Sequence, residues 1–210
     1  MAHGLFITLE GGEGAGKSTQ RQLLAAALEK LRHKVCVTRE PGGAPSAEII
    51  RGLLVKGDAT WDHRTEVLLH VAARREHLQN TVRPALALGQ IVISDRYSDS
   101  TVAYQGYGYG IDLAEIAAIH KAAQCDLKPD LTLILDIPVE AGLKRAMVRA
   151  GDENRYENMD IGFHRKLRDG FLAIAAKEPQ RCKVIDATRD IEAIHTDIVA
   201  AVTPLLKSKA

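Results

Sequence analysis

The hydrophobic residues of this chain fall into short runs that alternate with amphipathic segments. The first run covers 5–9, and four similar runs follow it at 34–38, 91–94, 131–135 and 184–185. Between the runs, apolar residues recur three or four positions apart, which is the spacing of one helix face. Short apolar strands separated by helices are typical of a parallel sheet that is buried on both sides. The pattern therefore predicts an α/β fold, with a five-stranded parallel sheet covered by helices on both faces.

Two helices are predicted between the second and third strands. The first is short, and Ser46 is expected to be its N-cap. Four of its apolar side chains are expected to point inward: Ile49, Ile50, Leu53 and Leu54. The second helix is long and is predicted to begin near Asp62.

The long helix has an apolar side and a polar stripe. The apolar side is predicted to consist of Leu68, Val71, Ala72 and Leu78. Four polar residues, spaced by four, four and three positions, align along the helix: Glu66, His70, Arg74 and His77. Such a stripe is usually a solvated face. Because this helix leads directly into a buried strand, a stripe that faces a functional site is the alternative.

Length and composition limit the possible classes of protein. The chain has 210 residues, 46% of them hydrophobic, which suits a single domain over 1–210 with one sizeable core. The formal net charge is only +1, so no basic surplus indicates nucleic acid. The sequence shows neither a signal peptide nor an apolar stretch of membrane-spanning length. Three isolated cysteines, Cys36, Cys125 and Cys182, suit a reducing compartment, and we expect a cytoplasmic protein.

A glycine-rich segment follows the first strand and fits the pattern G-x-x-x-x-G-K-[ST] of a phosphate-binding loop. We expect nine consecutive residues to hold ATP: Gly11, Gly12, Glu13, Gly14, Ala15, Gly16, Lys17, Ser18 and Thr19. In such a loop the backbone N–H groups and the helix dipole attract phosphate. Lys17 would contact the β- and γ-phosphates, and Ser18 would bind Mg²⁺. The alternative is an ordinary strand-to-helix turn with an exposed lysine.

The third strand ends in Asp95-Arg96-Tyr97. In a chain with a phosphate-binding loop, an aspartate at this place can hold the hydration shell of Mg²⁺ or polarise the acceptor. An adjacent arginine can bind phosphate. The alternative is that Asp95 only caps the next helix, but a charged pair at the end of a buried strand is costly without partners.

A second charged segment, at 149–158, interrupts two predicted helices and carries Arg149 and Arg155. Cationic side chains on a lid can neutralise phosphate charge during transfer. An exposed connection without a catalytic role explains the same composition equally well.

Five motifs together resemble the thymidylate kinases, a family that transfers the γ-phosphate of ATP to dTMP. They are the loop at 11–18, Thr-Arg-Glu-Pro-Gly-Gly at 38–43, Ala-Ala-Arg at 72–74, Asp-Arg-Tyr at 95–97 and Ala-Tyr-Gln-Gly at 103–106. The resemblance covers nearly the whole chain. It implies the fold of the phosphate-loop nucleoside monophosphate kinases, ATP and Mg²⁺ as cofactors, and a homodimer.

The resemblance also assigns roles in binding the acceptor dTMP. Glu13 takes the place of the carboxylate that contacts the 3′-hydroxyl, and Tyr104 that of the tyrosine that crowds the 2′ position. Arg51 and Arg96 match the arginines that bind the dTMP phosphate, a task that suits a guanidinium. Arg74 and Gln105 match the groups that read the thymine edge, and Thr101 belongs to the same acceptor site.

One position indicates the branch of the family that the chain resembles, and two positions differ from the usual family pattern. The loop has Gly14 where one branch carries an arginine, and the predicted lid has arginines, so the chain resembles the bacterial lid-arginine branch. His70 stands where the family usually has the phenylalanine that stacks on thymine. Tyr109 stands where relatives often have arginine.

A phosphate-binding loop also occurs in proteins with other functions. A GTPase would need an N-K-x-D signature, and the sequence contains no Asn-Lys pair. A kinase for another nucleoside monophosphate or a nucleoside, or a nucleotide-binding module without turnover, remains the alternative.

Overall fold

The computed structural model describes residues 4–55, 59–124, 127–148, 156 and 159–208. Five strands form one sheet: β1 (Leu5–Glu10), β2 (Val35–Arg39), β3 (Ile91–Asp95), β4 (Leu131–Asp136) and β5 (Cys182–Asp186). All neighbouring strands are parallel, in the order β2-β3-β1-β4-β5. This sheet confirms the predicted fold class.

Nine α-helices connect the strands within the described ranges. They are α1 (Lys17–Lys30), α2 (Pro45–Val55), α3 (His63–His77), α4 (Arg83–Ala87), α5 (Ser98–Thr101), α6 (Leu113–Gln124), α7 (Val139–Val148), α8 (Ile161–Lys177) and α9 (Ile191–Ser208). A π-helical segment, Leu78–Val82, joins α3 to α4, and another, Val102–Gly108, continues α5. In this part of the chain, none of the helices combines the length and apolar character that a membrane crossing requires.

Successive residues of each central strand point to opposite faces of the sheet, and helices cover both faces. Ile7 belongs to the apolar cluster that includes Leu24 of α1 and Ile198 of α9. Phe6, its neighbour in β1, belongs to a cluster on the other face with Leu86 of α4. Both faces of the sheet are therefore buried, which is why the strands read as nearly continuous apolar runs.

The strand register brings the functional segments together at one edge of the sheet. Leu9 of β1 pairs with Asp95 of β3, and Asp95 also pairs with Arg39 of β2. The segments that follow these three strands therefore begin side by side. In open parallel sheets, ligands bind at this carboxyl edge, where neighbouring strands connect to opposite sides.

The prediction for α2 was wrong at its start and on one side. The helix begins at Pro45, and the carbonyl of Ala44 accepts the first helical hydrogen bond from Glu48. Proline suits this first position because it lacks the N–H that a helix start leaves unpaired. Ser46 therefore lies inside the first turn instead of capping it.

The exposed side of α2 and α3 is more apolar than predicted. Leu54 of α2 is buried, but Ile49 is 73% exposed and Leu53 is also exposed. The helix α3 begins at His63, near Asp62 as predicted, and Asp62 caps it by accepting from two backbone N–H groups. On this helix Leu68 is 55% exposed.

The polar stripe of α3 faces the interior. Glu66, Arg74 and His77 are all buried. Burial of these groups is tolerable because each is hydrogen-bonded to a residue from another segment. The alternative of a solvated face is therefore wrong for these three residues.

Candidate active site

The phosphate-binding loop has the backbone that its sequence requires. Gly11, Gly14 and Gly16 adopt positive φ angles of 134°, 68° and 88°, which are accessible to glycine at little cost. Lys17 begins α1 and is only 8% exposed, so the alternative of an exposed lysine is wrong. Its ammonium donates to the carbonyls of Gly11 (3.1 Å) and Gly12 (2.8 Å). Burial and the nearby charge of Arg96 lower the pKa of Lys17 to about 8.

The two predicted metal ligands lie together. The Ser18 hydroxyl donates to the Asp95 carboxylate at 2.7 Å. No group of three or more histidine, cysteine or acidic side chains among the described residues could hold a metal by itself. A hydroxyl and a carboxylate beside a phosphate-binding loop fit Mg²⁺, which takes most of its ligands from phosphates and water.

Asp95 is not a helix cap. The residue at the N-terminus of α5 is Tyr97, and its side chain makes no capping hydrogen bond. The backbone N–H of Tyr97 donates to Glu10 instead, at 2.7 Å. Asp95 is thus left facing Ser18 at the carboxyl end of β3.

Arg96 connects the end of β3 to the phosphate-binding loop. Its φ of 69° lies in the left-handed region, which is unusual for a residue with a side chain and is found most often at functional sites. Its guanidinium donates to the Gly11 carbonyl (3.2 Å), the Ser100 hydroxyl (3.1 Å) and the Glu13 carboxylate (3.0 Å). The arginine predicted to bind phosphate is therefore anchored to the loop.

Glu13 is held as an ionised carboxylate. It accepts from Arg96 and from the Tyr104 hydroxyl. Burial by itself would raise the pKa of Glu13, but the charges of Arg96 and Lys17 and the hydrogen bond from Tyr104 lower it to about 2. Such a group accepts hydrogen bonds only, which is what binding a sugar hydroxyl requires.

Arg74 of α3 lies in a buried network. Its Nε donates to Glu40 (2.7 Å), and Nη2 donates to the Tyr97 carbonyl and the Thr101 hydroxyl (3.1 Å each). Nη1 donates to His120 Nε2 at 3.2 Å. These contacts use four of the five N–H groups of the guanidinium. The second N–H of Nη1 makes no hydrogen bond to any of the residues that the structure describes.

Glu40 orients Arg74 and is itself oriented by a histidine. His77 Nδ1 donates to the second carboxylate oxygen of Glu40 at 2.9 Å, and the Thr38 hydroxyl lies 2.7 Å from His77 Nε2. Burial would raise the pKa of Glu40, but the Arg74 charge and the His77 hydrogen bond lower it. A chain of buried hydrogen bonds thus joins β2 to α3.

Gln105 is fixed from the opposite side. Its amide nitrogen donates to Glu66 at 2.7 Å, and the Tyr156 hydroxyl donates to the same oxygen at 2.7 Å. His70 Nε2 lies 3.3 Å from that hydroxyl. His70 therefore shares a wall with Gln105 one helical turn before Arg74.

One cavity of about 540 Å³ brings the predicted residues together. Its lining includes Glu13, Gly14, Gly16, Lys17, Ser18, Arg51, His70, Arg74, Asp95, Arg96, Thr101, Tyr104 and Gln105. Gly11 and Gly12 instead line a small cavity behind the loop, Ala15 is buried, and Thr19 points to solvent. Arg149 and Arg155 lie outside the described residues.

Several residues of the site were missed by sequence reasoning. Glu40 stands in a motif but was given no role, and His120 lies in a helix whose pattern signals only packing. Tyr109, the second departure from the family, stacks on His63 at a centroid distance of 3.9 Å. It is not part of the cavity lining.

These features define the class of protein. The site combines a lysine in a glycine loop with a carboxylate at the end of the neighbouring strand, as in phosphate-loop proteins. A second wall of polar side chains leaves space for another ligand beside the nucleotide site.

Comparison with known proteins identifies the family. The family profile described as Thymidylate kinase matches residues 9–198. The thymidylate kinase of Gluconobacter oxydans is 50% identical over 201 residues, which is 95% of this chain and 94% of that relative. The thymidylate kinase of Caulobacter vibrioides is 51% identical over 199 residues, 94% of this chain and 95% of its own. The chain belongs to the thymidylate kinase family.

A solved structure agrees with this assignment. The crystal structure of thymidylate kinase from Ehrlichia chaffeensis superposes with a TM-score of 0.80 at 38% identity. The match covers 96% of this chain and 99% of the other. The resemblance inferred from the five sequence motifs is therefore confirmed, as is the fold.

Proposed function

We propose that this protein transfers the γ-phosphate of ATP to dTMP, producing dTDP and ADP. Membership of the thymidylate kinase family supports the reaction. The substrate assignment is supported by the polarity of two cavity-lining side chains: Arg74 can donate one further N–H, and Gln105, whose NH₂ group binds Glu66, retains its carbonyl oxygen as an acceptor. Thymine presents O4 as an acceptor next to N3–H as a donor, so its edge is complementary to this pair.

The donor half of the cavity suits ATP. Lys17 and the N–H groups of the loop would hold the phosphates, because the loop and the α1 N-terminus carry positive potential. Ser18 and Asp95 would hold Mg²⁺. When bound, Mg²⁺ would neutralise charge on the phosphate oxygens. Phosphoryl transfer depends mainly on positioning and on this electrostatic stabilisation.

The acceptor half of the cavity suits a deoxynucleoside monophosphate. Arg51 and Arg96 would bind its phosphate, and Arg51 is held near the loop after β2 by donating to the Pro41 carbonyl at 2.7 Å. Glu13 would accept from the 3′-hydroxyl, and Tyr104 beside it would crowd a 2′-hydroxyl.

Transfer also requires charge neutralisation on the phosphoryl group as it moves. Arg149 and Arg155 are our candidates for this role. The lid-arginine branch supports them, because the loop offers Gly14 where the other branch has its arginine.

We also infer that the protein acts as a homodimer in the cytoplasm. Ile49 and Leu53 of α2 and Leu68 of α3 are exposed apolar side chains that a second copy of the chain could cover. The described cysteines Cys36 and Cys182 are free thiols, as a reducing compartment favours.

The activity is tested by mixing the protein with ATP, Mg²⁺ and one nucleoside monophosphate at a time, and measuring ADP. We expect dTMP to give the highest kcat/KM. A clear preference for another monophosphate would support the alternative kinase, and absence of turnover with every acceptor would support a nucleotide-binding module.

A further inference from the structure

Glu66 lies behind the base-reading pair and was not assigned a role by the sequence. It belongs to α3, two turns before Arg74, and its side chain is fully buried. One of its carboxylate oxygens, Oε1, accepts both from the Gln105 amide and from the Tyr156 hydroxyl, each at 2.7 Å. Glu66 thus contacts a residue that faces the cavity.

The contact determines which end of the Gln105 amide faces Glu66. An amide has a donating NH₂ end and an accepting carbonyl end of nearly the same shape. If the carbonyl end faced Glu66, two acceptor oxygens would lie 2.7 Å apart with no hydrogen between them. A buried arrangement of that kind is strongly unfavourable. Glu66 therefore selects the orientation in which the NH₂ group points toward it.

The orientation has a consequence for the base. With its NH₂ group bound to Glu66, Gln105 retains its carbonyl oxygen as the acceptor for a ligand, and both Gln105 and Arg74 line the cavity. This edge suits the N3–H and O4 of thymine or uracil. Cytosine has the reverse pattern, with an acceptor at N3 and a donor at N4, so both positions would clash.

We propose that Glu66 is a positioning residue for substrate specificity, which excludes cytidine nucleotides by holding the Gln105 amide in one orientation. The inference rests on the proposed function. Without the fixed carboxylate, the Gln105 amide could rotate and present its NH₂ group to N3 of cytosine, which removes one of the two clashes. Glu66 itself does not need to touch the substrate.

The test is Glu66→Gln, which keeps the size of the side chain and removes the obligatory acceptor. Residue 66 could then present either end of its own amide, and Gln105 could rotate to match. We expect the ratio of kcat/KM for dTMP to kcat/KM for dCMP to fall by about tenfold or more. Discrimination that depends on matched donors and acceptors is lost when the Gln105 amide can rotate and exchange its donor for its acceptor. KM for ATP should not change.

Two matched variants serve as controls. Glu76→Gln makes the same chemical change on the same helix, where the side chain contacts Asn80 instead of the cavity, and should leave the ratio unchanged. Glu66→Asp keeps a carboxylate and should preserve the preference for dTMP even if overall activity falls. In a Gln105→Leu background, Glu66→Gln should have no further effect on the ratio, since its action runs through Gln105.

The outcomes separate this inference from the proposed function. If the parent protein does not phosphorylate dTMP, the proposed function fails. If the parent is active on dTMP and Glu66→Gln keeps the parent ratio, the inference is overturned while the function stands. If Glu66→Gln does not fold, Glu66→Ala decides, since it also removes the acceptor: a lowered ratio supports the inference, and the parent ratio overturns it.

Discussion

Gly14 and Gly142 bring the phosphate-binding loop and the helix α7 into direct backbone contact. A Cβ atom at Gly14 would lie 1.9 Å from the Gly142 carbonyl oxygen, and a Cβ at Gly142 would lie 2.5 Å from the Glu13 carbonyl oxygen. No side chain fits at either position unless the two segments separate. This contact gives a structural reason why the loop has no arginine at position 14.

The same contact predicts the effect of a small substitution. Gly142→Ala should push α7 away from the loop and lower kcat, by roughly ten- to a hundredfold, because misplacement of about 1 Å at a reacting centre has costs of this order. Gly52→Ala is the matched control, since Gly52 is also helical and its added Cβ meets no atom of another described segment within 4 Å. The control should keep kcat and gain about 0.5–1 kcal/mol of stability. Equal kcat for the two variants would show that the contact is irrelevant to transfer.

Lys17→Met should give a folded protein with almost no ADP production, because the lysine charge stabilises the transferring phosphate. The variant should also be more stable than the parent at pH 7. Folding lowers the pKa of Lys17 from its usual value of 10.5 to about 8, so below pH 8 the folded protein bears the full cost of a buried charge.

That cost disappears as pH rises from about 8 to 10.5. In this pH range Lys17 is protonated in the unfolded chain and neutral in the folded chain, so the stability of the parent rises with pH. The difference in Tm between variant and parent should therefore shrink across this window. Thermal melts at pH 7 and pH 10 measure it, and a constant difference would contradict the assigned burial of Lys17. Normal ADP production by the variant would refute the loop assignment.

His70 should act as the stacking platform for the base. It lines the cavity one turn before Arg74, and an aromatic platform contributes about 1–3 kcal/mol to binding a base. His70→Ala should raise KM for dTMP about ten- to a hundredfold, whereas His70→Phe should restore or improve binding. His63→Ala, on the same helix but stacked on Tyr109, is the control. Steady-state KM values at saturating ATP decide, and an unchanged KM in His70→Ala would assign the platform to another side chain.

His120 should determine the orientation of the Arg74 guanidinium. Burial and the charges of Arg74 and His70 lower the pKa of His120 to about 3, so its neutral ring accepts from Arg74 at ordinary pH. His120→Leu would leave a buried donor unpaired, at a cost of about 1–3 kcal/mol, and should raise KM for dTMP roughly tenfold.

His120→Gln retains an acceptor near the position of Nε2 and should behave like the parent. Ile116→Val, a mild change at a buried position one turn earlier on α6, shows what packing alone contributes. If the Leu and Gln variants of His120 raise KM equally, the hydrogen bond to Arg74 has no influence on dTMP binding.

The sequence predicted those features that depend on local pattern. The five strands followed from apolar runs bounded by helices, and the loop from Gly11 to Ser18 followed from a motif whose geometry is set by glycines and a helix start. Asp95 and Arg96 were found because charges at the end of a buried strand need a partner. Parallel strands then placed these segments at one edge.

Features that depend on distant partners were harder to predict. An apolar face is normally the buried one, but on α3 the polar residues Glu66 and Arg74 are buried because Gln105 and Glu40 satisfy them. Spacing within one helix cannot reveal such partners. The contact of His120 with Arg74 could not be predicted, because a single histidine in a largely apolar helix is typical of a residue that only packs.

The most direct test of the account is a competition among acceptors in one vessel. Equal concentrations of dTMP, dUMP, dCMP and dGMP are incubated with the protein, ATP and Mg²⁺, and the diphosphates are separated and quantified at low conversion. The ratios of products give the ratios of kcat/KM. We predict dTDP as the main product. The yield of dUDP should be intermediate, because uracil has the same hydrogen-bonding edge as thymine and lacks only the 5-methyl group. The yield of dCDP should be roughly 10⁴-fold lower than that of dTDP. Comparable amounts of dCDP and dTDP would contradict the roles given to Arg74 and Gln105, and no dTDP at all would contradict the proposed function.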